Sequence, residues 1–299
     1  MDKQAFGRIL LEWYTEAHRQ MPWRGHPDPY AIWISEAMLQ QTRVETVIPY
    51  FYHWMSLFPT IKSLAEASEQ KVLNAWEGLG YYSRARNLRK TAQIICEQFN
   101  GSLPRTVEEL ITLPGIGHYT AGAISSIAFG ANEAVLDGNV KRVLARAFNL
   151  EFPANSPAGE KEFWQIAMAL VPAHSAGDYN QAVMDLGALV CTPRSTDCKN
   201  CPISAHCEAN RLGIQKQLPV MLEKAPIPQY LVSAAILHRG TTVLIARRPS
   251  KGLLGGMWEF PGGKVENGET LQSALVREIQ EELGCHGTVE NEVGVYKQA

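Results

Sequence analysis

No apolar run in the chain reaches the ~18 residues that a membrane-spanning helix needs. The first twenty residues carry Asp2, Glu12 and Glu16 and have no apolar core of the kind that directs secretion. An excess of one charge is missing too. Lys and Arg number 28 against 30 Asp and Glu, a net charge of −2, which excludes a uniformly basic coat but leaves room for a local basic face. No segment repeats at solenoid spacing. Cysteine is scarce outside one segment: of six, Cys96 and Cys285 stand alone and read as small core residues. What remains is a 299-residue, 45% hydrophobic chain with material for two domains, expected in the cytoplasm, as a monomer, with no membrane contact.

Residues 1–212 read mostly as helix, with apolar residues at three- and four-residue spacing, as in Ile32, Ile34, Met38 and Leu39, or Leu73, Trp76 and Leu79. Thr106 followed by Glu109 predicts a capped helix running to Leu113. Residues 213–229, with Pro219, Pro226 and Pro228, read as a linker. Beyond it, residues 230–237 and 241–247 predict a hairpin turning at Arg239-Gly240, and residues 269–283 predict a helix, so an α/β module begins in 230–299. Arg84, Arg86, Arg89 and Lys90 form one basic cluster, and Lys141, Arg142 and Arg146 another; both read as solvated helix faces.

Cys191, Cys198, Cys201 and Cys207 are separated by six, two and five residues. Four thiolates in so short a loop suit a metal centre, and ligand type alone allows tetrahedral zinc or an iron–sulfur cluster. A disulfide framework does not fit a large chain without a secretion signal. Upstream, Leu113-Pro114-Gly115-Ile116-Gly117 lies between two helical stretches. Gly115 and Gly117 permit a tight turn close to a ligand, and the free N–H groups of the next helix suit a phosphate. About 20 residues on comes Val135-Leu136-Asp137-Gly138-Asn139-Val140, where Asp137 reads as a helix cap that stays ionised.

The cysteine spacing resembles the [4Fe–4S] loop of the endonuclease III superfamily of DNA glycosylases, and the Pro-Gly-x-Gly turn before it resembles that superfamily's helix–hairpin–helix. The resemblance implies a two-lobed, mostly α fold in which a structural [4Fe–4S] cluster on the four cysteines helps present Arg194 and Lys199 to DNA. It also implies a catalytic carboxylate at Asp137, facing the oxocarbenium-like sugar formed when an N-glycosidic bond breaks. Lyases of the superfamily carry a nucleophilic lysine two residues after the second hairpin glycine; here that residue is Tyr119, so base release without strand cleavage is expected.

Trp33-Ile34-Ser35-Glu36-Ala37-Met38-Leu39-Gln40-Gln41-Thr42 closely resembles a segment of the adenine DNA glycosylases of the MutY type. So do Pro22-Trp23-Arg24, Gly78-Leu79-Gly80-Tyr81-Tyr82 and Asp185-Leu186-Gly187-Ala188, and the likeness spans essentially residues 1–225. It implies that Glu36 is the general acid that protonates adenine, and that Tyr119 and Asn139 flank Asp137. Trp23, Arg24 and Gln181 would line the pocket for the extruded base, and Gln41 and Tyr81 would fill the gap it leaves. The implied partner is duplex DNA with adenine opposite 8-oxoguanine or guanine, met by a bacterial protein associated with the nucleoid. Taken alone, Glu36 would be a solvated mid-helix residue, Trp23 and Tyr81 core aromatics and Gln41 a surface amide.

The family's second domain resembles a Nudix fold. Gly263, Glu269 and Arg277-Glu278-Ile279-Gln280-Glu281-Glu282-Leu283-Gly284 match its box, with Cys285 a mild departure. Glu278, Glu281 and Glu282 would share one helix face and suit Mg²⁺ or Mn²⁺. Only 71 residues (229–299) follow the linker, while a complete module needs roughly 130. The sheet is therefore expected to be unfinished, hydrolysis weak and selectivity for 8-oxoguanine reduced. Three rivals remain at this stage: a thymine or uracil mismatch glycosylase, a Nudix pyrophosphohydrolase with a DNA tether, and a non-catalytic iron–sulfur DNA-binding protein.

Overall fold

A computed structural model describes residues 3–223, 228–249 and 255–296. Two compact units divide the chain at residues 223 and 224. Among the described residues no helix is long and apolar enough to cross a membrane.

The first unit is all helical. It runs through α1 (Lys3–Ala17), α2 (Pro29–Leu39), α3 (Val44–Leu57), α4 (Ile61–Glu66), α5 (Glu69–Ala75), α6 (Ser83–Gln98), α7 (Val107–Leu110), α8 (His118–Ala123), α9 (Gly138–Phe148), α10 (Pro157–Leu170), α11 (Ala176–Leu189) and α12 (Glu208–Leu212). A π-helical turn, Ile124–Ala128, extends α8. Two hydrophobic cores form inside this unit. One draws on residues 23–124, with Trp33, Trp54 and Trp76 fully buried. The other joins Phe6, Leu10 and Tyr14 of α1 to residues 123–218.

Helix α2 begins where Asp28 accepts a hydrogen bond from the Tyr30 N–H at 2.9 Å and Pro29 presets the first turn. Every residue from Tyr30 to Met38 is buried. A helix apolar on all sides belongs in a core, so its one charged residue, Glu36, has no solvent face to occupy. Thr106 caps α7 as expected, accepting from the Glu109 N–H, but that helix stops at Leu110 and turns carry the chain to Leu113.

Residues 214–222, which composition marks as linker, pack onto the first unit. Leu218 is buried, Ala154 donates to the Val220 carbonyl, and Asn155 exchanges hydrogen bonds with Leu222. Residues 224–227 of that expected linker lie outside the described residues.

In the second unit the strands are short antiparallel pairs. Strand β1 (Val232–Ala234) pairs with β6 (Gly262–Lys264), β2 (His238–Arg239) with β3 (Thr242–Val243), and β4 (Ala246–Arg247) with β5 (Trp258–Glu259). The β2–β3 hairpin turns at Gly240, as the sequence predicts, but strand structure over residues 230–247 is broken into these pieces. Helix α13 (Leu271–Leu283) starts at a Thr270–Ser273 capping box and packs on β1 and β6. Residues 250–254 and 297–299 of the expected module lie outside the described residues.

Candidate active site

Glu36 sits mid-way along α2 and is 5% exposed. Its Oε2 is buried with no hydrogen-bond partner. Burial pushes its carboxyl from an ordinary 4.5 up to about 7; the Tyr119 hydroxyl pulls downward, the nearby Asp137 pushes upward and Arg24 pulls downward. An acid that still holds its proton near neutral pH is suited to protonating a leaving group.

Tyr119 lies in the first turn of α8, and its hydroxyl donates to Met184 Sδ at 3.3 Å. Burial, together with the negative charges of Glu36 and Asp137, raises its phenol well above the usual range. Asp137 caps α9. One oxygen accepts from the Val140 N–H at 2.7 Å and the other from Asn139 Nδ2 at 2.9 Å. Burial raises its carboxyl above the usual Asp range, and the bonds from Val140 and Asn139 restrain the rise. The close approach of α8 to the segment leading to Asp137 depends on Gly122, where a Cβ would lie 2.3 Å from the Ala134 carbonyl oxygen.

Arg24 reaches the same pocket. Its Nη1 donates to Asp185 Oδ2 at 2.5 Å, and its guanidinium stacks over Tyr14 at 5.3 Å. Asp185 is completely buried and also holds Arg19, at 2.6 and 2.8 Å. Gln181 precedes Asp185 by one turn of α11 and donates to the Gly177 carbonyl at 3.2 Å. Trp23 is in the core, edge-on to Phe51 at 5.3 Å. Sequence reasoning gave Asp185 no role of its own. No local pattern marks it, since α11 also carries Asp178, Asn180 and Gln181.

Gln41 and Tyr81 lie at the surface. Each is exposed, Tyr81 by 66%, and each has a left-handed backbone, at φ +60° and +46°. Gly115 of the hairpin takes φ +80° against Asn87, whereas Gly117 has an ordinary φ of −94° and nothing within 4 Å of a Cβ built there. The fold therefore requires glycine at the first position and leaves open space at the second.

The second basic cluster is not a solvated face. Arg142 and Arg146 are buried, because loop carbonyls replace water around them. Arg142 donates to Asn139 Oδ1 at 2.8 Å and to the Cys191 carbonyl at 2.7 Å. Arg146 donates to the carbonyls of Thr192 and Gln215 and to Cys191 Sγ at 3.3 Å. All four cysteines line one cavity, and Gln215 Nε2 lies 3.7 Å from Cys198 Sγ. Burial pushes the Cys201 thiol up to about 12. Among the described residues no three His, Cys, Asp or Glu side chains are grouped as a single metal ion requires. Four sulfurs around a cavity, with N–H donors aimed at two of them, fit a group larger than one ion.

In the second unit Arg277 holds Glu269 at 2.8 Å, Glu278 at 2.9 Å and Glu281 at 3.3 Å, while Glu282 accepts from the Gly262 N–H at 3.1 Å. Glu278 also fills the space over Gly263, where a Cβ would lie 2.2 Å from its carboxylate. The three box glutamates share α13, but among the described residues they do not converge as a metal group. Their oxygens are engaged by Arg277 and the β6 backbone instead.

Comparison with known proteins agrees with this geometry. Residues 34–167 match the model of the HhH-GPD superfamily base excision DNA repair proteins, and residues 232–297 match a NUDIX domain. An adenine DNA glycosylase of Homo sapiens is 38% identical over 94% of this chain, which spans 61% of that protein. One of Buchnera aphidicola subsp. Baizongia pistaciae is 38% identical over 87% of the chain, which spans 74% of it. Among solved structures, a thermostable thymine-DNA glycosylase superposes with a TM-score of 0.65 at 28% identity, covering 70% of this chain and 97% of its own. A non-covalent endonuclease III–DNA complex gives 0.61 at 22% identity, covering 72% and 100%, and speaks for the fold. On the identity and coverage of these relatives, the chain belongs to the adenine DNA glycosylase family within the HhH-GPD superfamily.

Proposed function

We propose that the chain is a monofunctional DNA glycosylase that removes adenine opposite 8-oxoguanine or guanine in duplex DNA. The observation that carries this reading is Glu36: a carboxyl inside an apolar helix, titrating near 7, next to Tyr119 and Asp137. Adenine leaves poorly as an anion. Glu36 donates its proton to the imidazole ring of the base, the N-glycosidic bond breaks, and the bonding electrons leave with the base. Asp137 stabilises the positive sugar, held in place by Asn139 and the α9 N-terminus; water adds to the sugar carbon and its proton restores the Glu36 carboxyl. Tyr119, with its proton held and its hydroxyl given to Met184, supplies no amine, so strand cleavage through a Schiff base does not follow.

Trp23, Arg24 and Gln181 serve the adenine pocket, Gln41 and Tyr81 fill the gap in the duplex, and the turn at Gly115 and Gly117 meets the DNA backbone. Cys191, Cys198, Cys201 and Cys207 would hold a [4Fe–4S] cluster, which would tie the loop together and supply no step of the hydrolysis. Residues 1–212 carry the excision. The Nudix-like residues 230–299 meet the opposite base and hydrolyse nucleotides weakly, since Arg277 competes with Mg²⁺ or Mn²⁺ for Glu278 and Glu281. Relatedness to a thymine-DNA glycosylase structure leaves thymine as the rival substrate, and Glu36 favours adenine.

The test is product analysis on duplexes with adenine opposite 8-oxoguanine, guanine or thymine, with and without alkaline workup. Free adenine and strands that break only after alkali are expected. Breakage without alkali, or release of thymine in place of adenine, overturns the reading.

A further inference from the structure

The guanidinium of Arg84, in the first turn of α6, lies between two loops. Its Nη1 donates to the carbonyls of Ala37 at 2.9 Å, Met38 at 3.1 Å and Gln40 at 2.6 Å. Its Nη2 donates to the carbonyls of Leu79 at 3.0 Å and Gly80 at 3.4 Å. The plane stacks 5.0 Å from Trp76 and 5.8 Å from Tyr81. The first set of carbonyls closes α2, which has no basic residue of its own in its last turn and no glycine after it. The second set belongs to the turn before Tyr81. The next residue after the first set is Gln41, and the next after the second is Tyr81, each in the left-handed region.

Other bonds stiffen the same frame. Trp76 Nε1 donates to the Gly80 carbonyl at 3.0 Å, Tyr50 Oη to the Glu77 carbonyl at 2.8 Å, and Gln40 Nε2 to Thr120 Oγ1 at 3.3 Å. Thr120 follows Tyr119. An unbranched ammonium could not copy the Arg84 arrangement, because a planar fork reaches two loops at once and stacks between rings. Sequence alone grouped Arg84 with three neighbours as a solvated basic face; five carbonyl partners are the reverse of that.

We infer that Arg84 is a positioning residue that locks Gln41 and Tyr81 in register as a two-sided wedge, so that extrusion of the target base is driven by protein already in shape. This rests on the glycosylase reading above and adds the device that prepares the flip. Ordering exposed side chains only on contact with DNA would cost free energy at the moment of flipping; holding their backbones beforehand avoids that cost.

The test compares Arg84→Lys with the unaltered full chain in single-turnover excision on two substrates. One is adenine opposite guanine in duplex DNA. The other is adenine opposite a tetrahydrofuran abasic analogue, where the base has no pairing partner and extrusion is easier. Expected is a loss of about tenfold or more on the mismatch and less than about threefold on the unpaired adenine, with duplex affinity retained. Equal loss on both substrates assigns Arg84 to general upkeep of the fold or of Glu36 and overturns the inference. If the unaltered chain releases adenine from neither substrate, it is the glycosylase reading that fails. Should Arg84→Lys not fold, Trp76→Phe removes one bond of the same turn and keeps an aromatic ring. It must show the same bias in smaller measure, and an unbiased Trp76→Phe overturns the inference.

Discussion

Glu36 in the helical unit and Glu278 in the C-terminal unit are both mid-helix glutamates, and they meet opposite surroundings. Glu36 lies in a helix with no polar face, and one of its oxygens has no partner. Glu278 lies on a helix beside Glu281 and Glu282, with Arg277 as its neighbour and partner. In the same unit Arg277 and the Glu266 N–H hold the Glu269 carboxyl at about 2. A carboxyl deprived of water keeps its proton and can give it away even with Arg24 nearby, whereas Glu269, bonded to a guanidinium, stays charged. The first environment favours acid chemistry without a metal. The second is a ligand set whose members are already engaged.

Substitution is the direct way to break this contrast. Glu36→Gln keeps the shape and removes the acid, and single-turnover release of adenine is expected to fall by about 10²–10⁴-fold. A full rate would leave the raised proton affinity of Glu36 without a function. Asp137→Asn should follow, with a loss of about 10²-fold or more. Because Asn caps helices about as well as Asp, the melting temperature should hold, and an unchanged rate would mean that the cap is the residue's main role.

The proton on Glu36 also enters stability. The folded protein holds it up to about pH 7, and the unfolded chain releases it near 4.5. The stabilisation is therefore whole below about pH 4.5 and is lost as the pH rises through about 7, a change of about 3 kcal/mol. Urea unfolding across that window should reveal the slope in the unaltered protein and its absence in Glu36→Gln. The smallest effect belongs to the other unit. Arg277→Gln should let the Glu269 carboxyl rise from about 2 toward 4.5, read by its carboxyl resonance, with a smaller change in melting than at Glu36 because solvent reaches part of the pair.

Much of the site was legible in the sequence because short spacings bring its parts together. Asp137, Gly138 and Asn139 make a cap with their own backbone, and the four cysteines fall within one loop. Glu36 could be given a role only by resemblance, although the apolar stretch around it already denied it solvent. Arg84, Arg142, Arg146 and Asp185 were not legible in this way. Their partners are carbonyls and side chains tens of residues distant, such as Arg19 and Arg24 for Asp185, and no local pattern announces a carbonyl that lacks a donor. The boundary near residue 213 failed for a related reason: proline and glutamine describe a surface segment, and Leu218 and Val220 attach that segment to the first unit.

The two cores differ in how their residues are distributed along the chain. The one containing Trp33, Trp54 and Trp76 is a single stretch, residues 23–124, whereas the other must bring Phe6, Leu10 and Tyr14 together with residues as late as Leu218. On the ribosome, the lobe holding Glu36 can close while the rest is still being made. Helix α1 must wait, its apolar side unburied, until α10 and α11 emerge. Amide protection during refolding should appear in residues 23–124 before it appears in α1.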